Sequence, residues 1–348
     1  MKIYDYIIIG SGIAGSSVAY LLNKNAKSVA LIDKLPIASG GSGAAGAFLS
    51  PLPGKVNPYN TLVNDALGFS LSFYESFIPE AFVKNGLLRV KNRHFDEDKF
   101  FSQAGIVEPK KVLEKLLLGI DFYIKDIKKL EKTDDFYVFD DICAKNIILA
   151  QGVLTPLLDL PYIKIEPIFG VKLDVISSTK PPYNIHKDIS ISTTKKDGTI
   201  SIGATKQRHD TKNFSCETSC DLCQFASDDL QIDSLLKSAD EMLKLEDLQI
   251  IKIYKGSRAS IKSYFPVVGK LIDYKNSLEK HPSIAHGTKI PHELLSYHED
   301  VFILNALGSR GFVLAPYVAD ILTKHLLKDE PIPKHISTHK LFYKKARA

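Results

Sequence analysis

Uninterrupted apolar residues at Ile7, Ile8 and Ile9 run straight into glycines, and apolar positions then fall three and four apart at Ala14, Val18 and Leu21. A stretch that is apolar on both faces suits a strand inside a parallel sheet, and the three-four spacing suits the helix that covers it. SVALI at 28–32 is a second buried strand, ending at Asp33. Residues 59–77 carry apolar side chains at helical spacing, and GLLRV at 86–90 reads as a short strand. The pattern predicts a helix over 105–119 and strands over 122–132, 136–140 and 145–152. From about 165 to 255 the texture turns β-rich. Segments 166–176, 188–194 and 199–206 read as strands, the last two joined by a turn at Lys196-Asp197-Gly198. A helix over 230–246 follows, then a loop rich in His and Pro, then strand, glycine turn and helix over 301–327.

Strand–helix segments at both ends around a β-rich middle predict an α/β protein of two interleaved lobes. One is a Rossmann-like dinucleotide-binding domain, the other a β-rich substrate domain. The expected division gives 1–60, 95–165, 255–275 and 300–330 to the first lobe. It gives 61–94, 166–254 and 276–299 to the second, and leaves 331–348 as a basic C-terminal tail. The 348 residues are 45% hydrophobic, enough to bury two cores. A net charge of +5 permits a polyanionic partner without requiring one. No stretch is long and apolar enough to span a bilayer, and the first apolar run, with Asp5 and its glycines, lacks the features of a signal peptide. Four cysteines make no disulfide framework, so the expected location is the reducing cytoplasm.

The candidate chemistry begins at Gly10-Ser11-Gly12-Ile13-Ala14-Gly15, between the first strand and its helix. Gly10 allows the tight turn, Gly12 lets phosphates approach the backbone, and Gly15 lets helix and strand pack closely. The helix aims its unpaired N–H groups at the phosphates. Asp33, 18 residues past Gly15 and followed by Lys34, stands where an acid accepts hydrogen bonds from the adenosine ribose. The second glycine turn, Gly308-Ser309-Arg310-Gly311, does not repeat the spacing. A single fingerprint favours one bound FAD over an added nicotinamide site.

GSGIAGSSVAYLL, the loop SGAAGAFLSP, the strand IILAQG, GSRASIKSYFPVVGK and NALGSRGFVLAPYVADIL occur in that order. Together they resemble the D-amino-acid-oxidase superfamily of FAD amine oxidases. Within it, SPLPGKVNPYNTLVNDALGFSLSFYESF and LNALGSRGFVLAP are similar to the branch that forms the FAD-dependent half of the bifunctional tRNA 5-methylaminomethyl-2-thiouridine biosynthesis proteins. That resemblance implies oxidation of the carboxymethylaminomethyl group on a tRNA wobble uridine, giving aminomethyluridine and glyoxylate. Methyl transfer would then fall to a separate methyltransferase. The alternative is a small-molecule oxidase of glycine, sarcosine or a D-amino acid.

The resemblance also assigns residues. Arg258 would grip the substrate carboxylate, because a guanidinium pairs bidentately with it. Arg310 is the second candidate, for substrate or flavin. The backbone from Gly308 through Ser309 and Gly311 to Phe312, opening the last long helix, would stabilise charge at the flavin. Ser42, Gly43, Gly46 and Ala47 would run beside the pyrophosphate and flavin, Ile127 would meet the adenine, and Ala150 and Gly152 would close the strand beneath the cofactor. One departure stands out: the tRNA branch's Arg-Gly-Gln is replaced by Phe169-Gly170-Val171.

Cys216, Cys220 and Cys223 suit free thiols better than an iron–sulfur cluster, with a structural zinc shared with Cys143 or a histidine as the alternative. His281, His286, His292 and His298 lack close ligand spacing and are expected in a solvated loop, so no metal is assigned. Lys334, Lys340, Lys344, Lys345 and Arg347 in the tail either meet tRNA phosphates or belong to a solvated terminus.

Overall fold

The computed structural model describes residues 1–92, 96–154, 156–208 and 228–348. Its first sheet is built on five parallel strands, in the order Tyr297–Asn305, Ile142–Leu149, Lys2–Ile9, Val29–Asp33 and Asp121–Ile124. Ile7, Ile8, Leu31, Ile32, Ile147 and Ile148 are fully buried, as runs apolar on both faces require. Val267–Ile272 closes one edge antiparallel, and Phe136–Phe139 joins Ile142–Leu149 as a hairpin.

Helices Ile13–Lys24, Pro58–Phe77 and Gly311–Lys328 share one hydrophobic cluster on one face of this sheet. The expected assignment of 61–77 to the substrate lobe is therefore corrected: Leu62, Val63, Ala66, Leu67 and Tyr74 pack with the dinucleotide lobe. Pro316 lies inside Gly311–Lys328 and cannot donate to the Phe312 carbonyl four residues earlier. The Tyr74 hydroxyl donates to that carbonyl at 3.0 Å, and Ser70 donates to the Val313 carbonyl at 2.7 Å.

The second sheet runs Gln249–Ser260, Glu166–Ile176, Ile200–Gly203, Ser190–Ile191, Asn184–His186, Leu87–Arg89 and Lys99–Phe101. The hairpin at Lys196-Asp197-Gly198 forms as read, with Ile191 opposite Ile202. The boundary at 255 does not follow the strand, because Gln249–Ser260 pairs along Glu166–Ile176 on both sides of Lys255, with one register shift at Asp174–Val175. Lys99–Phe101 likewise sits in this sheet and not in the first.

Other segments differ in extent. The expected helix over 105–119 is a strand, Gly105–Val107, then a helix, Pro109–Leu116, with proline at its first turn. The strand over 122–132 stops at Ile124. The helix over 230–246 is Asp228–Asp240.

Residues 276–299 also pack on the first sheet's far face, through Leu278, Ile284, Ile290, Leu295 and Tyr297. Of the four histidines expected in a solvated loop, His286 and His292 are exposed and His281 and His298 are half-buried. The His281 ring meets the Leu294 carbonyl at 3.1 Å, and His292 stacks on His339 at 3.8 Å between centroids. The solvated-terminus reading of the tail is corrected as well. Thr338–Ala346 is a helix that buries Phe342 and Tyr343, while Lys334, Lys340, Lys344, Lys345 and Arg347 stay exposed. Cys143 is buried in the strand Ile142–Leu149, whereas Cys216, Cys220 and Cys223 lie outside the described residues.

Candidate active site

The C-terminal ends of the parallel strands open into a cavity of about 400 Å³ between the two sheets. Open α/β sheets bind ligands at this end. Gly10 has a φ of +111°, and a Cβ there would collide with the Ala150 carbonyl. A Cβ on Gly15 would collide with the Gly10 carbonyl, so this glycine lets helix pack on turn. Asp33 receives the Ser11 N–H at 2.7 Å and the Ser11 hydroxyl at 2.9 Å on one oxygen, while its other oxygen accepts the Leu35 N–H at 3.1 Å. Ser42 accepts the Ile13 N–H at 3.0 Å, placing the glycine-rich loop across the helix start.

That loop is pressed between the lobes. A Cβ on Gly256 would stand 2.9 Å from the Ala44 Cβ, and Gly43 sits against the Ala38 carbonyl. Ala47, at a φ of 49°, lines the cavity with Ser42 and Gly46. Ala150, Gly152, Gly308, Ser309, Gly311 and Phe312 line it too. Asn305 ties two of these turns together, its amide donating to the Gly152 carbonyl at 3.0 Å. Lys34 and Ile127 line an adjoining cavity of about 210 Å³, which shares Gly10 and Asp33 with the first. Gly15 and Gly43 alone among the expected residues line neither cavity, and both act through backbone packing.

Arg258 and Arg310 both line the larger cavity. Arg258 donates to the Thr205 carbonyl at 3.1 Å, and a Cβ on Gly170 would lie 2.7 Å from its guanidinium. Gly170 thus makes room for Arg258 on the neighbouring strand. Arg310 donates to the Ser50 carbonyl at 2.8 Å. Burial lowers the pKa of both. Phe169, which replaces the branch's arginine, is buried yet reaches the cavity wall.

The sequence reading missed Arg89, His186, Asp188 and Lys206, all on the cavity wall. Burial, then the Arg310 charge, pushes Arg89 down to about 10. Burial, reinforced by Arg89, Lys206 and Arg310, drives His186 down to about 3, and its Nδ1 meets the Ser190 hydroxyl at 2.8 Å. The available signal was an arginine in GLLRV, a strand otherwise apolar enough to be buried.

These features fit an adenine dinucleotide. The Gly10–Gly15 turn leaves bare backbone for a pyrophosphate, Asp33 keeps acceptor capacity for a ribose, and the wall opposite is cationic. A cradle for FAD beside a cation-lined substrate space defines an FAD-dependent oxidoreductase. The chain belongs to the FAD dependent oxidoreductase (DAO) family, which it matches over residues 5–115 and 93–325. It is 24% identical over 358 aligned positions to the tRNA 5-methylaminomethyl-2-thiouridine biosynthesis bifunctional protein MnmC of Campylobacter fetus subsp. fetus (strain 82-40). That alignment covers 92% of this chain but 56% of the relative, so the chain spans about half of that protein's length. Glycine oxidase from Bacillus cereus ATCC 14579 shares the fold, with a TM-score of 0.70 at 17% identity, covering 94% of this chain and 96% of that one. L-amino acid deaminase from Proteus myxofaciens does too, with a TM-score of 0.72 at 13% identity and coverage of 98% and 94%.

Among the described residues, no helix is long and apolar enough to cross a membrane.

Proposed function

We propose that this protein is an FAD-dependent amine oxidase acting on the carboxymethylaminomethyl group of a tRNA wobble uridine. The supporting observation is the cationic wall. Arg89, Lys206, Lys255, Arg258 and Arg310 line one cavity, against Asp33 and Asp188. Lys206 is exposed and extends that charge to the surface, where a polyanion approaches. The alignment with the tRNA biosynthesis protein supports the same substrate.

The substrate is a glycine whose nitrogen is attached to the uridine methyl group. Its methylene loses a hydride, the resulting imine takes up water, and cleavage of the C–N bond gives glyoxylate and aminomethyluridine. FAD, when bound, supplies the acceptor for that hydride. Arg258 holds the carboxylate and so orients the methylene. Arg310 and the backbone at Gly308–Phe312 place positive potential at the other end of the reacting space. His186, held neutral, adds no charge and presents a polar ring. Gly10–Gly15, Asp33, Ser42 and Gly46 hold the cofactor's phosphates and ribose in this reading, with Lys34 and Ile127 at the adenine.

The test is anaerobic flavin bleaching of the FAD-loaded protein by tRNA carrying this group, with glyoxylate assayed. Bleaching by tRNA at concentrations far below those needed for glycine or sarcosine is expected. Bleaching by glycine but not by tRNA overturns the tRNA substrate in favour of a small-molecule oxidase.

A further inference from the structure

We propose that Arg89 is a specificity-determining residue that seats a second oxyanion of the substrate, in addition to the carboxylate of its glycine moiety. Arg89 is only 6% exposed, yet it lines the same cavity as Arg258 and Arg310. It ends the strand Leu87–Arg89, paired in parallel with Asn184–His186 so that Arg89 lies opposite His186. Leu87 and Arg89, two apart on one strand, share the face that borders the cavity. The guanidinium is thus fixed on a strand of the substrate sheet, not on a loop.

The surrounding charge is positive. After burial, the Arg310 charge is the influence that lowers Arg89. Lys206, exposed at the cavity rim, lies in the same field: partial desolvation of its ammonium and the Arg258 charge lower it, and only Asp188 raises it. Asp33 lines the same cavity at the glycine turn, on a strand of the other sheet. One carboxylate pairs bidentately with one guanidinium, which Arg258 already provides. A ligand that carries a further negative charge is attracted by the several cations that line this cavity. Under the amine-oxidase reading, on which this inference rests, the substrate class narrows to N-substituted glycines bearing a carboxylate or phosphate on the nitrogen substituent.

Non-oxidisable ether analogues test this in the FAD-loaded protein, through their perturbation of the flavin absorption band. Methoxyacetate carries one carboxylate, oxydiacetate two, and carboxymethoxymethylphosphonate a phosphonate in place of the second. At least one dianion is expected to bind about tenfold or more tightly than methoxyacetate, and the tighter one tells carboxylate from phosphate. Arg89→Gln should abolish that preference and change methoxyacetate binding by no more than about twofold, whereas Arg258→Gln should weaken all three. Arg89→Lys, which retains the charge but not the fork, should weaken the dianion alone by several-fold and serves if the Gln variant does not fold. Equal binding of all three analogues by the unaltered protein, or an Arg89 variant that weakens all three alike, overturns the proposal. Failure of the amine-oxidase reading shows separately, as flavin that binds these analogues but is bleached by no amine.

Discussion

Arg258 shows how one residue's role depends on a neighbour that has no side chain. Gly170 leaves the space its guanidinium crosses, and the Thr205 carbonyl anchors it. Arg258→Ala is expected to retain bound flavin while slowing substrate-driven flavin reduction by about a hundredfold or more, measured by anaerobic stopped flow. His186 carries a pH signature. Its folded pKa of about 3 lies below the ordinary 6.5, so between those values the unfolded chain binds a proton that the folded one does not. Stability is therefore complete above pH 6.5 and falls as the pH drops, by about 1.4 kcal/mol per pH unit for each such group. His339, pushed by burial to about 4, adds to the slope. Urea midpoints at pH 7 and pH 5 should differ accordingly, and His186→Gln should flatten the difference; an unchanged slope would remove His186 as its source. The glycine fingerprint and Asp33 were picked out in the sequence by their spacing and Arg258 by the resemblance of its segment, and the structure brings Gly10, Gly12, Asp33 and Arg258 to one cavity. Arg89 and His186 were not picked out, because nothing local marks a charged residue on a short strand as lining a cavity.

At the scale of elements, the helix Pro58–Phe77 does more than cover apolar surface. Pro316 leaves the Phe312 carbonyl without its helical donor, at the turn where that helix meets the cavity, and Tyr74 supplies one. Tyr74→Phe strands a buried carbonyl and should lower stability by about 1–3 kcal/mol in chemical denaturation. It should also shift the bound flavin's absorption, since Phe312 lines the site. A destabilisation below about 0.5 kcal/mol would show that the carbonyl finds another partner. Periodicity found this helix nearly to its ends, because its buried positions repeat at helical spacing. It failed at 105–119, where Gly105–Val107 is held by pairing with Phe48–Leu49 and Phe82–Val83. Such pairing has no local signal. The tail helix was missed for a related reason. Phe342 and Tyr343 are adjacent and form no long stripe, and their burial comes from the distant residues Tyr162, Tyr274 and Ile290.

Over the whole molecule, both sheets meet at the cavity, so a dinucleotide placed there contacts segments from residue 10 to residue 312. Such a ligand binds only the folded chain, and at a hundredfold excess over its Kd it adds about 2.7 kcal/mol of stability. Stripping FAD should therefore lower the thermal midpoint, and adding it back should restore the midpoint with a concentration dependence. A midpoint indifferent to FAD would argue against this cradle. The α/β class, the Gly10–Gly15 turn, the acid that ends the second strand and the presence of a second, β-rich lobe were determined by the sequence alone, because buried strands, helical stripes and glycine spacings are short-range patterns. Which lobe claims 61–77, 249–260 and 276–299, and how Arg89, Lys206, Arg258 and Arg310 come to share one cavity, was decided only by the tertiary structure. Those relations join residues far apart in the chain, and they arise from burial and strand pairing that no local window of sequence contains.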